Sequence, residues 1–161
     1  MRDETTTTSG NGTESRYLEI TLGKEKYALP LLLVREVIAP PNTTQIPNSP
    51  AYFVGMMNLR GQVMGIIDLR KRLNIITSTS GDKKNEEAVV IVEIDGVSVG
   101  AYVDSVSRVL AIPQNSIHEP PSSAKKTAAH ATGIYEFNNE LITILALEKI
   151  LDLPAPATKA A

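Results

Sequence analysis

The chain has 161 residues, a formal net charge of −2 and no cysteine, which leaves room for one hydrophobic core or two small adjoining ones and excludes disulfides and zinc–thiolate sites. The slightly acidic balance argues against a nucleic-acid backbone as the main partner. No apolar run approaches the about 20 residues of a membrane helix, and no signal segment opens the chain, so we expect a soluble, cytoplasmic protein without membrane insertion.

The sequence pattern of the first third of the chain predicts a tail, a hairpin and a bend. Residues 1–15 are rich in Thr, Ser, Gly and Asn and predict a disordered tail. Residues 17–22 alternate between apolar and polar side chains, which predicts the first strand of a hairpin over residues 17–30. The hairpin is expected to end at its proline, because proline has no backbone N–H to donate to a neighbouring strand. Residues 34–38 then run extended. A proline-bracketed loop follows, and its last proline predicts the start of a short helix over residues 51–53.

Residues 55–73 are the segment around which the rest is organised. A turn at Leu59-Arg60-Gly61 needs the positive φ that Gly61 can supply. The following run, residues 63–67, is almost entirely apolar and is typical of a strand covered on both faces. Asp68 closes this strand and can cap the short helical turn that comes next. Arg60 stands out as a cation at the tip of an apolar hairpin.

The same pattern returns in the second half. Residues 133–151 align without a gap with residues 55–73, an offset of 133 − 55 = 78. A weaker similarity joins residues 27–38 to residues 99–110, an offset of 99 − 27 = 72. Each half is therefore predicted to contain a hairpin, a bend with a short strand, a second hairpin and a helical turn. Two copies favour a duplicated barrel over an open repeat array.

Turn signals divide the second half, and polar segments bound the domain. Asp95-Gly96 between two apolar runs is a strong hairpin signal, and Asn138-Asn139 predicts the last hairpin turn. Residues 113–132 predict a long polar loop. We expect a folded domain over residues 16–153, with a junction between its halves near residues 77–87 and a C-terminal tail over residues 154–161.

No catalytic or metal site can be assembled from the sequence. His118 and His130 share one polar loop without ligand spacing, and neither a Gly-x-Ser-x-Gly motif nor a glycine-rich phosphate loop is present. Asp68 and Asp104 each follow a buried strand, and helix capping explains both more simply than catalysis. We therefore predict a protein that is not an enzyme, needs no cofactor or metal, and acts through its surfaces.

Several motifs together resemble the CheW family of bacterial chemotaxis coupling proteins. The most specific is Asn58-Leu59-Arg60-Gly61, followed by an apolar strand and Asp68-Leu69. The resemblance covers residues 17–153, and it also rests on residues 17–29, 34–37, 46–52 and 99–104.

The resemblance implies an all-β fold, namely two intertwined five-stranded SH3-like β-barrels with short helical turns. It implies a non-catalytic adaptor of two-component chemotaxis signalling that couples methyl-accepting chemoreceptors to the histidine kinase CheA. Its partners would be the receptor's cytoplasmic hairpin tip and the regulatory domain of CheA, which has the same double-barrel fold. We expect no nucleic-acid partner, a monomer in isolation, and recruitment from the cytoplasm to membrane-associated receptor arrays.

The resemblance also implies a receptor- and kinase-binding groove between the barrels. It carries five residues over to this chain: Val34, Glu36, Arg60, Val89 and Val109. Each has another interpretation. The three valines are equally well explained as core residues, and Glu36 as a solvated strand residue. For Arg60 there are three alternatives: a solvated turn residue, a recognition residue, or an ion pair with Glu36.

Two other functions remain open at this point. The first is an adaptor of the same fold in a non-chemotactic signalling array, which the genes adjacent to this one would distinguish. The second is a small oligonucleotide-binding barrel. Such a barrel stacks bases on aromatic side chains beside a basic stripe. The few aromatic residues here do not lie in such a pattern, and a binding assay with nucleic acid at low salt would decide.

Overall fold

The protein is described by a computed structural model that covers residues 13–75, 86–121 and 129–151. Most of the described residues lie in β-strands. Its strands are β1 Glu14–Leu22, β2 Glu25–Pro30, β3 Val34–Ile38, β4 Phe53–Leu59, β5 Gln62–Asp68, β6 Ala88–Ile94, β7 Val97–Val103, β8 Ser105–Pro113, β9 Ala131–Phe137 and β10 Glu140–Leu145. Two single-turn helices, α1 Leu69–Arg72 and α2 Leu147–Ile150, follow β5 and β10, and short 3-10 turns lie at Leu31–Leu33 and Gln114–Ser116.

The strands form two five-stranded barrels, and each barrel takes strands from both halves of the chain. Barrel 1 has the order β3-β6-β7-β5-β4, and barrel 2 has the order β8-β1-β2-β10-β9. The β6–β7 hairpin thus lies in the barrel of the first half, and the β1–β2 hairpin lies in the barrel of the second. The β5–β7 and β10–β2 pairs are parallel, while the neighbouring pairs are antiparallel. The prediction of two intertwined barrels is confirmed.

The internal repeat corresponds to a structural equivalence of the two barrels. An offset of 78 residues carries β4 onto β9 and α1 onto α2, with the same first and last positions. An offset of 72 residues carries β3 into β8 and β2 into β7. The strand orders of the two barrels are also equivalent. If each strand of barrel 2 is replaced by the strand five places later in the chain, counting on from β10 to β1, the order becomes that of barrel 1. The predicted duplication therefore describes two copies that have exchanged their first hairpins.

Three apolar cores hold this arrangement together. The interior of barrel 1 contains Met57, Met64, Ile66, Val89 and Ile91, and the interior of barrel 2 contains Tyr17, Ala28, Leu110, Ile112, Ile142 and Ile144. The largest core lies between the barrels and includes Leu18, Ile20, Leu22, Leu29, Val90, Val92, Val99, Ala101, Val103, Leu145 and Leu147. Strand β6 is buried on both faces, because Val90 and Val92 lie in the core between the barrels while Val89 and Ile91 lie in the interior of barrel 1, and this explains its long apolar run.

The loops that lead into β4 and β9 are fastened to those strands. Thr44 exchanges two backbone hydrogen bonds of 2.8 Å with Met56, and His118 does the same with Ile134. Gly55 and Gly133, which are equivalent by the 78-residue offset, leave room for these loops. A Cβ on Gly55 would lie 2.6 Å from the carbonyl oxygen of Thr44, and one on Gly133 would collide with the neighbouring loop.

One predicted helix and one predicted boundary differ from the structure. The helix predicted over residues 51–53 is wrong, because the Phe53 amide donates to the Pro50 carbonyl at 2.9 Å and closes a single turn before β4. The first strand begins at Glu14, within the predicted tail, because its first residues pair with the end of β8. The rest of both predicted tails and most of the predicted junction lie outside the described residues.

The two aspartates that follow buried strands have different roles. Asp68 caps α1 as predicted, because its Oδ1 accepts hydrogen bonds from the amides of Arg70 at 2.9 Å and Lys71 at 3.4 Å. The capping interpretation of Asp104 is wrong, because β8 begins at the next residue and no helix follows.

Candidate protein-interaction site

Arg60 lies in a rigid two-residue turn between β4 and β5. Leu59 pairs with Gln62 across the turn, and φ is 54° at Arg60 and 87° at Gly61, as a type I′ turn requires. The side chain of Asn58 accepts a hydrogen bond of 2.9 Å from the Gly61 amide. The positive φ predicted for Gly61 is confirmed. The turn therefore holds the Arg60 side chain at a fixed point of the barrel surface.

Arginine is an unusual residue at this place in the turn. A positive φ is disfavoured for residues with a Cβ, and Asn, Asp and Gly tolerate it best. The chain follows this rule in its other type I′ turns, where Asp95 and Asn138 have φ values of 51° and 52°. Asn138 is equivalent to Arg60 by the 78-residue offset. Turn chemistry alone therefore does not explain an arginine at this position.

Arg60 forms a bidentate ion pair with Glu36 of β3. The distances are 2.6 Å from Nη1 to Oε2 and 3.0 Å from Nη2 to Oε1. Because β3 and β4 are the two edges of the barrel 1 sheet, this pair bridges the seam at which the barrel closes. The hydrogen bond to Glu36, and then the charge of Glu36, raise the pKa of Arg60. The Arg60 side chain is nevertheless 72 % exposed, so a partner can reach the pair.

The three predicted valines lie in different environments. Val34 is partly exposed on β3 and packs against the core between the barrels. Val109 on β8 is 50 % exposed. Val89 has no exposed surface and lies in the interior of barrel 1, where its strand pairs with β3. The core interpretation therefore fits Val89, which can support β3 but has no surface for a partner to contact.

The structure brings four of the five predicted residues together in barrel 1. Val109 belongs to barrel 2, where β8 is the edge strand equivalent to β3. The 72-residue offset pairs Val109 with Val37, which is also exposed and was not among the predicted site residues. The signal for Val37 was present in the repeat, because the alignment of the two halves places these two valines at the same position.

The seam of barrel 2, between its edge strands β8 and β9, is closed by different side-chain contacts. Arg108, equivalent to Glu36 by the 72-residue offset, lies over the ring of Phe137 at 5.0 Å from its centroid. Its Nε lies 3.4 Å from the carboxylate of Glu19, which is buried on the same face of β1 as Tyr17. Equivalent positions of the two barrels thus carry opposite charges. The two barrels therefore offer different surfaces to partners in spite of their common fold.

Exposed apolar side chains add to these surfaces. Val63 on β5 and its equivalent Leu141 on β10 are 61 % and 64 % exposed. The prediction that residues 63–67 are covered on both faces is therefore wrong at Val63, which lies beside the turn at the end of the barrel. Exposed aliphatic side chains beside rigid turns suit contacts with another protein.

Other chemistry is limited in the described part of the chain. There, no group of three His, Asp or Glu residues is arranged to hold a metal ion, and no helix is long and apolar enough to cross a membrane. A cleft of about 470 Å³ has Phe53, Tyr102, Asp68 and Arg70 among its lining residues. Its Asp68 caps α1, and its Arg70 forms an ion pair with Asp104, so both charges are already engaged.

Comparison with known proteins gives the family. A model described as "CheW-like domain" matches residues 16–155. The chain belongs to the CheW-like domain family. It is similar to the chemotaxis protein CheW of Klebsiella aerogenes, with 33 % identity over 145 residues, covering 89 % of this chain and 85 % of that protein. It is also similar to CheW of Helicobacter pylori, with 29 % identity over 137 residues, covering 84 % and 81 %.

The fold agrees with a solved member of the family. The crystal structure of the scaffolding protein TtCheW from Thermoanaerobacter tengcongensis matches with a TM-score of 0.78 and 31 % identity, covering 91 % of this chain and 98 % of that one. This CheW-like protein is a non-catalytic adaptor of bacterial chemotaxis that links receptors to the histidine kinase CheA. The family assignment thus favours chemotaxis over both of the alternatives left open by the sequence.

Proposed function

We propose that this adaptor binds the cytoplasmic hairpin tip of chemoreceptors and the regulatory domain of CheA, and that the surface around the Glu36–Arg60 ion pair is central to that binding. The protein is a monomer in isolation and joins membrane-associated receptor arrays through these contacts. The observation that carries the proposal is Arg60 itself, an exposed guanidinium at a turn position that favours asparagine or glycine.

The chemistry of Arg60 suits recognition of another protein. Its planar fork of donors matches a carboxylate or a row of carbonyl oxygens, and lysine does not reproduce that geometry. Because the turn and Glu36 already hold the guanidinium in place, little side-chain freedom is lost when a partner binds. Glu36 and a partner group can share the guanidinium, whose outer surface remains in solvent.

Apolar residues supply the remaining contact. Val34 is partly exposed two residues before Glu36 on β3, although a register shift between them pairs Val34 with Val92 and Glu36 with Ile91, so the two side chains do not share a face. Val109 offers a second exposed apolar position on barrel 2. An amphipathic helix of the receptor hairpin presents apolar side chains at helical spacing, and these side chains can pack against the two valines. Val89 takes part only indirectly, as support for β3.

Titration of the purified protein with a receptor hairpin fragment and with a CheA regulatory-domain fragment tests this proposal. We expect the wild type to bind both. Val109→Asp is expected to weaken binding of at least one partner about fivefold or more, which corresponds to a loss of about 1 kcal/mol. Ile46→Asp is the matched control, because Ile46 has a similar exposure and lies on barrel 1 beside Phe53, at the end of β4 away from Arg60. Equal effects of the two substitutions contradict the assignment.

A further inference from the structure

The chain crosses between the barrels at two equivalent points that are built differently. Strand β2 leads into β3 through the turn Leu31–Leu33, and β7 leads into β8 at Asp104. Asp104 lies 72 residues after Leu32 and is equivalent to it. Leu32 is 97 % exposed. Asp104 is largely buried and makes polar contacts to both barrels, so the second crossover is fastened in a way that the first is not.

Asp104 contacts the β1–β2 hairpin of barrel 2 and helix α1 of barrel 1. Its Oδ2 accepts a hydrogen bond of 2.6 Å from the Gly23 amide, and its own amide donates to the Thr21 carbonyl at 3.1 Å. Its Oδ1 lies 2.7 Å from Nη1 of Arg70 in α1. One carboxylate therefore joins an element of each barrel at the point where the chain passes between them.

Arg70 is itself held by residues of barrel 1. Its Nε lies 3.5 Å from Oδ1 of Asp68, and its guanidinium lies over the ring of Tyr102 at 5.7 Å from the centroid. The Tyr102 hydroxyl in turn donates to Glu87. Burial lowers the pKa of Arg70, but the neighbouring carboxylates of Asp68 and Asp104 raise it overall, so the guanidinium stays charged. We call Asp68, Arg70, Asp104 and Gly23 the crossover clamp.

The crossover clamp has no copy at the equivalent place. The 78-residue offset puts Ala146 at the position of Asp68 and Glu148 at that of Arg70, while Leu32 replaces Asp104. Helix α2 accordingly begins without a side-chain cap. The contacts of Asp104 thus lie on one side of the molecule, in addition to the hydrogen bond of 2.9 Å that Arg72 Nε in α1 donates to the Ile150 carbonyl in α2. A requirement of the fold alone would apply equally to both sides, since both halves form the same barrel.

We propose that Asp104 and Arg70 are positioning residues that fix the orientation of barrel 1 relative to barrel 2. The apolar core between the barrels is large, but the hydrophobic effect that drives its burial is itself non-directional. Charge-assisted hydrogen bonds are directional and select a geometry. By fixing the angle between the barrels, the crossover clamp also fixes the distance between Arg60 on barrel 1 and Val109 on barrel 2. We infer that the partners require this distance, a consequence that rests on the proposed function.

Spin-label distances test the orientation without any partner. The chain has no cysteine, so Val63→Cys with Leu141→Cys gives one specific label pair, at equivalent exposed positions of the two barrels. We expect Asp104→Asn to broaden or shift the distance distribution measured by double electron–electron resonance. The matched control is Glu93→Gln, which breaks the exposed Arg35–Glu93 ion pair within barrel 1 and is expected to leave the distribution unchanged.

Further variants keep the test decisive. Asparagine is nearly isosteric with aspartate, and if Asp104→Asn does not fold, Arg70→Lys removes the fork while keeping the charge and is expected to give a smaller broadening. An unchanged distribution in either folded variant overturns the proposal. A broadened distribution with unchanged affinity for both partner fragments overturns the positioning role in binding. The expected loss of affinity is about fivefold.

Failure of the proposed function gives a different result. In that case the wild type binds neither fragment, while the distance measurement still supports or overturns the role of the crossover clamp in orienting the barrels.

Discussion

Gly55→Ala tests how the loop before β4 is fastened to the barrel. Gly55 has a φ of +151°, and a Cβ there would lie 2.6 Å from the carbonyl oxygen of Thr44. Because this oxygen belongs to the backbone, no change of rotamer relieves the contact. We expect loss of both Thr44–Met56 hydrogen bonds, about 1 kcal/mol each, and backbone strain of about 1–3 kcal/mol. The free energy of unfolding should therefore fall by about 3–5 kcal/mol.

Two glycines provide matched controls for this prediction. A Cβ on Gly133 would collide mainly with the side chain of Ile117, which can rotate, so we expect a loss of about 1–3 kcal/mol. Gly61 has a positive φ but no atom within 4 Å of its Cβ position, so only backbone strain of about 1–2 kcal/mol applies. Urea unfolding followed by circular dichroism measures all three. The reasoning is refuted if Gly55→Ala is no more destabilising than Gly61→Ala.

Other predictions concern core packing and tyrosine ionisation. Val89→Ala should lower the free energy of unfolding by about 2 kcal/mol, because apolar burial is lost and a cavity is left. Val109→Ala should change it by less than about 0.5 kcal/mol, because Val109 is half exposed. Equal effects of the two substitutions in urea unfolding contradict the assigned burial. Burial, and then a neighbouring glutamate, raise the pKa of both Tyr27 and Tyr102 from 10 to about 12. The stability that these two protonated tyrosines contribute is thus complete below pH 10 and is lost as the pH rises to about 12. An ultraviolet titration in which all five tyrosines ionise near pH 10 contradicts this prediction.

Local features of the fold could be predicted from the sequence because their causes are local. The positive φ of Gly61, the cap at Asp68 and the turn at Asp95-Gly96 depend on neighbours within a few residues. The repeat likewise located β9 and α2 from β4 and α1. The exchange of hairpins was different. Nothing in the periodicity of β6 and β7 says which barrel they enter, and only the resemblance to a known family supplied that part of the prediction.

The interaction site was harder to predict because it depends on contacts between distant elements. The pairing of Glu36 with Arg60 was one of three alternatives, and it is decided by β3 meeting β4 across the seam of a closed barrel. Val89 and Val109 are both valines in strands, so periodicity could not separate the buried one from the exposed one. The partners of Asp104 lie far away in sequence, which is why local reasoning assigned it to capping.

The most direct test of the proposed recognition role is the affinity of Arg60→Asn for the receptor and CheA fragments. Asparagine suits the positive φ of this turn, as the equivalent Asn138 does, so folding should be retained or improved while the guanidinium is removed. We expect binding of at least one partner to weaken about fivefold or more, with Arg60→Lys only partly restoring it. Unchanged affinity of Arg60→Asn for both fragments would contradict the assignment of Arg60 as the recognition residue.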